Sequence, residues 1–252
     1  MSNSVVITSA CRTAVGSLGK SLKNISASEL GSTVISESIK RSKLKVDDVD
    51  EIIMGQVLTG GTGQNPARQA AISSGIPKEK PAYVVNQVCG SGIRSVASGF
   101  QSIKAGDSKI LIAGGQESMS LAPHAIHLRD GKKLGDAEIV DTLIKDGLWD
   151  AFNGYHMGVT AENVAIKFQV TRDQQDTFAL NSQKKALNAQ KENKFNEEIV
   201  NFKIKSKNSE VDFNKDEHPR DGLSIETLTK LKPVFQKNGT VTAGNASGIN
   251  DG

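Results

Sequence analysis

Cysteine and aromatic residues are scarce in this 252-residue chain, and each scarcity excludes a class of protein. The two cysteines, Cys11 and Cys89, lie far apart and belong to no CxxC pair or His/Cys cluster, which argues against a disulfide framework or a metal site. Aromatic residues make up 4% of the chain, too few to favour a stacking-based nucleic-acid binder. No apolar run approaches the ~20 residues needed to cross a bilayer. We therefore expect no metal, no nucleic-acid partner and no membrane segment.

The charge is nearly balanced, with 31 basic and 28 acidic residues and a net charge of +3. This surplus is too small for a general polyanion binder, although it suits a local site for a small anionic ligand. The opening sequence, MSNSVVITSACR, has neither the basic and apolar regions of a signal peptide nor the arginine-rich character of a transit peptide. With the unpaired cysteines, this pattern predicts a cytoplasmic protein.

The first half of the chain alternates between strand and helix patterns. Strands are expected at residues 4–9, 51–58, 81–88 and 109–113. One helix is expected after the capping box of Ser26 and Glu29, and another after Asn65. A third is expected from apolar residues at helical spacing, namely Ile93, Val96, Ala97, Phe100 and Ile103. This alternation predicts an α/β fold whose mostly parallel sheet is covered by helices on both faces.

The pattern changes after residue 119. Residues 120–160 are rich in loop signals, and a helix is expected to open near Thr160. A second capping box at Thr171 predicts a long helix, followed by a half-exposed strand around Phe202. Residues 205–217 are expected to form a charged loop. We predict three segments: an α/β domain at 1–119, an inserted loop subdomain at 120–247, and a return to the first domain at 248–252.

Cys89 is the candidate nucleophile because it stands between a predicted strand and a predicted helix, beside Gly90 and Gly92. Free backbone N–H groups and the positive end of a helix dipole favour a thiolate at such a position. The same N–H groups can hold the oxyanion that forms when a carbonyl is attacked. The residues alone leave open a second interpretation, in which Cys89 is a buried structural cysteine.

The string VNQVCGSG at 85–92 resembles the nucleophile motif of the thiolase family. The resemblance covers essentially the whole chain in order, and its other strings are GGQESMS (114–120), DAFNGYHMG (150–158), TAEN (160–163) and TVTAGNASGINDG (240–252). Within the family, the likeness is strongest to the biosynthetic acetyl-CoA acetyltransferases. It implies a layered thiolase-like fold and the reversible condensation of two acetyl-CoA to acetoacetyl-CoA and coenzyme A. It also implies no cofactor beyond the coenzyme A thioester substrate, and a homotetramer.

The resemblance carries roles to individual residues. It implies that Cys89 becomes acylated by a thioester. It implies contacts with the coenzyme A thioester at Leu148, His156 and Met157 for the pantetheine and acyl pocket, Arg220 and Thr227 for the nucleotide, Phe235 for the adenine, and Ala243 and Ser247 for the pantetheine loop. Residues 123–142 correspond to a tetramerisation loop. Structural alternatives stay open for three of these residues and for the loop: a core histidine at His156, a solvated arginine at Arg220, a core aromatic at Phe235, and a solvated charged loop at 123–142.

Thiolases continue into a second α/β domain that supplies an asparagine, a histidine and a second, acid/base cysteine. The NEAFA-like, GHP and CxGGG strings that carry them do not occur in residues 1–252. The resemblance therefore leads us to expect the N-terminal portion of a thiolase, with the C-terminal domain absent.

Four alternatives to a short-chain thiolase remain at this stage. The chain could be a 3-ketoacyl-CoA thiolase of broader specificity, or another condensing enzyme of the same fold such as a ketoacyl synthase. It could be a non-catalytic fragment that binds coenzyme A or serves in assembly. A cysteine hydrolase is the fourth, although no recognisable Cys–His–Asn set accompanies Cys89.

Overall fold

In a computed structural model of the protein, residues 4–206 and 209–252 are described. The helices are α1 (Ala27–Arg41), α2 (Pro66–Ser73), α3 (Ser91–Ala105), α4 (Met157–Phe168), α5 (Arg172–Lys191) and α6 (Ile225–Thr229). The strands are β1 (Arg12–Thr13), β2 (Gly16–Ser17), β3 (Glu51–Gly55), β4 (Ala82–Val85), β5 (Leu111–Gly115), β6 (His124–Ala125), β7 (Val140–Asp141), β8 (Trp149–Asp150), β9 (Tyr155–His156), β10 (Ile199–Val200), β11 (Phe202–Ser206), β12 (Ser209–Phe213) and β13 (Asn250–Asp251). A 3₁₀ turn covers Val46–Asp48 and a π-helical turn covers Leu143–Leu148.

The central sheet consists of three parallel strands in the order β4-β3-β5. Ile52 of β3 pairs with Ala82 on one side and with Ile112 on the other. These strands coincide with three of the predicted ones, although β3 and β4 end earlier and β5 begins later than predicted. The parallel sheet with its flanking helices confirms the predicted α/β class.

Alternate side chains of β3 face two different layers. Ile52 and Met54 pack in one cluster with Ile35 of α1 and with small residues of α2. On the other face, α3 lies so close that a Cβ added at Gly55 would overlap the backbone of Ser91. The sheet is therefore covered on both faces, which is why β3 is buried along most of its length.

The helix starts that were predicted from capping patterns are confirmed. Ser26 accepts a hydrogen bond from the backbone of Glu29, whose carboxylate accepts one from the backbone N–H of Ser26 (2.9 Å). The helices that follow Asn65 and Thr171 begin in the same way, with a side chain accepting from the first turn. A cap depends only on residues within one turn, so the sequence suffices to predict it.

The strand predicted at residues 4–9 is wrong. The segment forms no strand, and Val6 and Ile7 are 71% and 79% exposed. A strand requires a neighbour that completes its ladder of backbone hydrogen bonds. Within 4–206 and 209–252, no strand is paired with this segment, so its β-branched composition alone does not produce one.

Helix α3 forms as predicted, but its large apolar side chains point away from the sheet. Ile93 is 74% exposed and Phe100 is 50% exposed, whereas Ser95 and Gly99 are buried. A Cβ at Gly99 would collide with the side chain of Leu111, so the small residues allow the helix to lie close on β5. Periodicity alone predicted the helix but did not show which side would pack.

The charged loop predicted at residues 205–217 is partly wrong. Ser209–Phe213 form β12, which pairs antiparallel with β11, and Phe202 pairs with Phe213. Both phenylalanines are buried, and this cross-strand contact explains why a charged segment forms a strand. The strand predicted around Phe202 is confirmed, and residues 207 and 208 lie outside the described residues.

An ion-pair cluster joins the start of the chain to residues 198–216. The Arg12 guanidinium donates to both carboxylate oxygens of Asp216 (2.7 and 3.0 Å) and to Glu198 (2.7 Å). Burial by itself raises the pKa of Asp216, but the hydrogen bonds from Arg12 and from the backbone of Val15 outweigh burial and leave that pKa below its usual value. Separately, β13 pairs with β2 and brings residues 250–251 beside 16–17.

None of the helices in the described part of the chain combines the length and apolarity that a membrane crossing requires.

Candidate functional site

Cys89 lies in a tight turn between β4 and α3, with Gly90 as the N-cap of the helix. Val88 has a φ of 48°, in the left-handed region that β-branched residues rarely adopt. The Ser91 hydroxyl holds the turn, because it accepts from the backbone N–H of Gln87 (2.8 Å) and donates to the carbonyl of Val88 (2.6 Å). The side chain of Asn86 accepts from the N–H of Val88 (2.9 Å). These bonds maintain a strained backbone that presents Cys89 to solvent.

Glycines bring the Cys89 turn against the carboxyl ends of the sheet strands. Gly55 ends β3, and an added Cβ there would lie 2.6 Å from the backbone nitrogen of Gly92. A Cβ added at Gly115, the last residue of β5, would lie 3.5 Å from the Cα of Gly92. The nucleophile candidate is therefore placed at the carboxyl edge of a parallel sheet, where α/β folds commonly bind ligands.

The exposure of Cys89 excludes its interpretation as a buried structural cysteine. Cys11 is different, because it is partly buried and its thiol lies 3.4 Å from the carbonyl of Val34 and 3.1 Å from the hydroxyl of Ser38. Of the two cysteines, Cys89 is the one that a ligand can reach.

Glu117, which follows β5, forms hydrogen bonds that hold the loop at residues 57–58 against the same edge of the sheet. Its carboxylate accepts from the backbone N–H groups of Val57 (2.8 Å) and Leu58 (3.3 Å). Its own backbone exchanges hydrogen bonds with Gly252 (2.8 and 3.0 Å). Burial raises the pKa of Glu117, and its hydrogen bonds offset this only in part.

A mostly apolar cavity of about 640 Å³ lies beside α4 and the segment that precedes β13. The structure brings five of the predicted contact residues to its wall: Leu148, His156, Met157, Phe235 and Ser247. A volume of this size falls within the range of small-molecule sites. The family resemblance thus predicted residues that are distant in sequence but share one cavity.

His156 is the N-cap of α4, which explains why this helix begins at Met157 rather than near Thr160 as predicted. Its Nδ1 accepts from the backbone N–H of Gly158 (2.9 Å), so the neutral imidazole carries its proton on Nε2. The ring also stacks on Phe235, with centroids 4.8 Å apart. A Cβ at Gly158 would overlap the Phe235 ring, so only glycine permits this arrangement.

Four predicted site residues do not line this cavity: Cys89, Arg220, Thr227 and Ala243. Arg220 is exposed, and its backbone N–H donates to the side chain of Gln183 (3.0 Å). The Thr227 hydroxyl takes part in the capping box of α6, where it accepts from the N–H of Ser224 (3.1 Å) and donates to its carbonyl (2.8 Å). Ala243 is exposed on the segment that carries Ser247.

Several cavity residues were not singled out from the sequence. Met119, Thr160, Asn245 and Ile249 line the cavity together with the predicted residues. The signal was available, because each lies inside one of the strings that carry the family resemblance. Composition and spacing alone gave no reason to choose them.

Comparison with known proteins gives consistent results. The model of the thiolase N-terminal domain matches residues 5–252. The acetyl-CoA acetyltransferase of Rhizobium meliloti is 56% identical over 253 residues, and that of Shinella zoogloeoides is 53% identical over 252. These alignments cover 100% of this chain, which spans 64% of the length of each of these curated relatives. The crystal structure of the Bacillus anthracis acetyl-CoA acetyltransferase superimposes with a TM-score of 0.95 at 41% identity, covering 98% of this chain and 62% of that one.

Proposed function

The chain belongs to the thiolase family, and on that premise we propose that it acts in the acetyl-CoA C-acetyltransferase reaction, in which two acetyl-CoA give acetoacetyl-CoA and coenzyme A. The observation that carries the proposal is the exposed Cys89 at the start of α3, on the carboxyl edge of the sheet. The names of relatives that are 56% and 53% identical support the choice of acetyl-CoA as substrate.

In the proposed first step, the Cys89 thiolate attacks the carbonyl carbon of acetyl-CoA. The bond from that carbon to Cys89 Sγ forms, the bond to the coenzyme A sulfur breaks, and the coenzyme A thiolate leaves and takes up a proton. The backbone N–H groups of Gly90 and Ser91 already donate to the carbonyls of Gln87 and Val88 (3.0 Å each), so other N–H groups of the turn would hold the oxyanion of the tetrahedral intermediate.

In the proposed second step, a base removes a proton from the methyl group of a second acetyl-CoA. The resulting enolate carbon attacks the acetyl carbonyl on Cys89, so that a carbon–carbon bond forms and the thiolate of Cys89 is released. The base for this step is not among the residues to which we assign roles.

The apolar cavity is the proposed site of the pantetheine arm. Leu148, His156 and Met157 would form its walls, and the Nε2 proton of His156 offers a hydrogen bond to a carbonyl. Phe235 would contact the adenine, and Arg220 and Thr227 the remainder of the nucleotide. We place Ala243 and Ser247 against the pantetheine. The family resemblance supports all of these roles, and the shared cavity supports five of them.

We propose that the chain is divided into the segments 1–119, 120–247 and 248–252. We also propose a homotetramer that is assembled through residues 123–142. That loop is closed at its base by the pairing of β6 with β7, and its Leu134 and Ile139 are 92% and 64% exposed. Exposed apolar side chains on a protruding loop suit a subunit contact. Deleting the apolar side chains of the 123–142 loop should reduce the assembly size measured by sedimentation.

The unpaired cysteines support a reducing compartment, so we propose a cytoplasmic location.

The proposed nucleophile is tested by intact-mass measurement after brief exposure to acetyl-CoA, with peptide mapping of any adduct. We expect one acetyl group per chain, on Cys89. Cys11→Ser is the matched control and should be acetylated like the unmodified chain, whereas Cys89→Ser should not. Persistent acetylation of the Cys89→Ser variant would overturn the assignment.

A further inference from the structure

One segment, residues 240–248, forms a large part of the cavity wall, and we name it the cavity loop. It carries Ala243 and Ser247, the proposed pantetheine contacts. It contains no helix or strand. Its conformation must therefore be fixed by bonds to its surroundings, since an irregular segment supplies few backbone bonds of its own.

A buried carboxylate from α4 holds the first end of the cavity loop. Glu162 is 2% exposed, and its Oε1 accepts from the backbone N–H groups of Thr240 (2.8 Å) and Val241 (2.7 Å). Its Oε2 accepts from the hydroxyl of Thr240 (2.9 Å). A Cβ at Gly239 would overlap Glu162 Oε1, so the chain enters the loop through a residue that leaves room for the carboxylate.

A second buried carboxylate, from α5, holds the middle of the cavity loop. Asp176 is fully buried, and its Oδ1 accepts from the side-chain amide of Asn245 (2.9 Å). Its Oδ2 accepts from Nε of Arg172 (2.7 Å), whose Nη2 also donates to the carbonyls of Leu228 (2.6 Å) and Leu231 (3.1 Å). The ion pair is therefore fixed to the carbonyls of Leu228 and Leu231 through Arg172. The other carboxylate oxygen of Asp176, Oδ1, faces the cavity loop.

Asn245 connects Asp176 to the backbone of the cavity loop. Its Oδ1 accepts from the N–H of Thr242 (2.7 Å), and its Nδ2 donates to the carbonyl of Thr240 (3.0 Å) as well as to Asp176. Asn245 also lines the cavity. A displacement of its amide would thus change the backbone of residues 240–242, directly before Ala243.

We propose that Glu162 and Asp176 are positioning residues that hold the cavity loop in the conformation that binds the pantetheine arm of an acyl-CoA. A buried carboxylate is costly unless it is fully bonded, and apolar residues usually serve the core at least as well. The hydrogen bonds of Glu162 come from Thr240 and Val241 of the cavity loop, and Asp176 obtains one of its two partners, Asn245, from that loop. The inference rests on the proposed function, because it presumes that the cavity takes coenzyme A.

The test measures the affinity for coenzyme A itself, by titration calorimetry, in chains carrying Asp176→Asn or Glu162→Gln. Each substitution keeps the shape and removes the charge, and in Asp176→Asn the new amide faces the donors of Asn245 and Arg172. We expect affinity for coenzyme A to fall about tenfold or more, from the loss of a charge-assisted bond. Amide hydrogen exchange in residues 240–248 should accelerate, and the alkylation rate of Cys89 should stay unchanged.

Two further variants separate positioning from general stability. Asp173→Asn removes an exposed acid from the first turn of α5, three residues before Asp176, and should bind coenzyme A normally. Asp176→Glu keeps the charge and should recover part of the lost affinity. If Glu162→Gln does not fold, Thr240→Val removes the hydroxyl bond to Glu162, together with the bond that Gln175 donates to the same hydroxyl (2.8 Å), and should weaken binding in the same direction.

The outcomes are distinguishable. If the unmodified chain does not bind coenzyme A, the proposed function of the cavity fails. If the unmodified chain binds and the folded variants bind equally well, the proposed function stands and the positioning roles are wrong, even if the variants melt at lower temperature.

Discussion

The imidazole of His156 stacks on the ring of Phe235, with centroids 4.8 Å apart and planes 18° from parallel. The backbone of Gly158 is part of the same arrangement, because its N–H donates to Nδ1 of His156 (2.9 Å). A side chain at position 158 would occupy the space of the Phe235 ring. The absence of a side chain at position 158 therefore leaves room for the aromatic wall of the cavity beside the helix cap.

Gly158→Ala should weaken coenzyme A binding and destabilise the chain by about 1–3 kcal/mol, a typical cost of overpacking. The reason is that the Phe235 ring must leave its place on His156. Gly60→Ala is the control, since the nearest atom to an added Cβ there is 3.9 Å away. Urea unfolding and calorimetric titration measure the two effects. Unchanged affinity in the Gly158→Ala chain would show that the stack does not shape the ligand site.

Ser91→Ala should alter the reactivity of Cys89, because the Ser91 hydroxyl holds the strained turn at Val88. Ser95→Ala is the matched control: Ser95 is buried one turn later on α3 and donates to the carbonyl of Gly114 (2.6 Å). Both variants should lose about 0.5–1.5 kcal/mol of stability through the loss of partly buried hydrogen bonds. Only Ser91→Ala should change the rate at which iodoacetamide alkylates Cys89. Equal rates in both variants would mean that the turn keeps its shape without the hydroxyl.

Elements that depend on near neighbours could be predicted from the sequence. The capping pairs at Ser26 and Thr171 involve residues three positions apart, and both helices start where expected. The strand predicted at residues 4–9 is wrong because a strand depends on a distant partner. The packing side of α3 was not predictable for a similar reason, since Gly99 meets its contact, Leu111, only in the folded chain.

The residues of the candidate site also fall into those that the sequence could predict and those that it could not. His156 and Met157 were chosen from a family string, and both line the cavity. Glu162 and Asp176 were not chosen, because their partners lie 78 and 69 positions away in the sequence. From sequence alone, an acidic residue in a helix is expected to be exposed to solvent, because its distant hydrogen-bond partners are not known. Only the folded structure shows that both carboxylates are buried and bonded to one loop.

Glu162 should make the stability of the chain depend on pH in the acid range. Burial by itself raises its pKa, but the hydrogen bonds from Val241 and Thr240 outweigh burial and leave the pKa below its ordinary value of 4.5. The unfolded chain then binds the proton at higher pH than the folded chain does, so the free energy of unfolding falls as the pH drops below 4.5. Glu162→Gln should flatten this decline. The exposed Glu197→Gln serves as the control, and denaturant titrations over the acid range measure both slopes; a slope unchanged in Glu162→Gln would contradict the assignment.

Glu117 should have the opposite effect on the pH dependence of stability. Burial raises its pKa above the ordinary value of 4.5, the hydrogen bonds from Val57 and Leu58 compensate only in part, and Asp251 adds to the increase. The folded chain therefore retains a proton that the unfolded chain has lost, and the free energy of unfolding falls as the pH rises from 4.5 through the folded pKa. Glu117→Gln keeps a carbonyl oxygen for the N–H of Val57 but does not ionise, so this part of the pH dependence should disappear.

The measurement for Glu117 follows the free energy of unfolding from pH 4.5 to about pH 8 and records the difference between the two ends. Glu138→Gln, an exposed glutamate in the 123–142 loop, is the control and should keep the difference seen in the unmodified chain. The two buried glutamates thus provide an internal contrast, since one loses stability towards acid and the other towards base. If Glu117→Gln and Glu138→Gln show the same difference, Glu117 ionises alike in both states, and its burial is compensated by the backbone of residues 57–58.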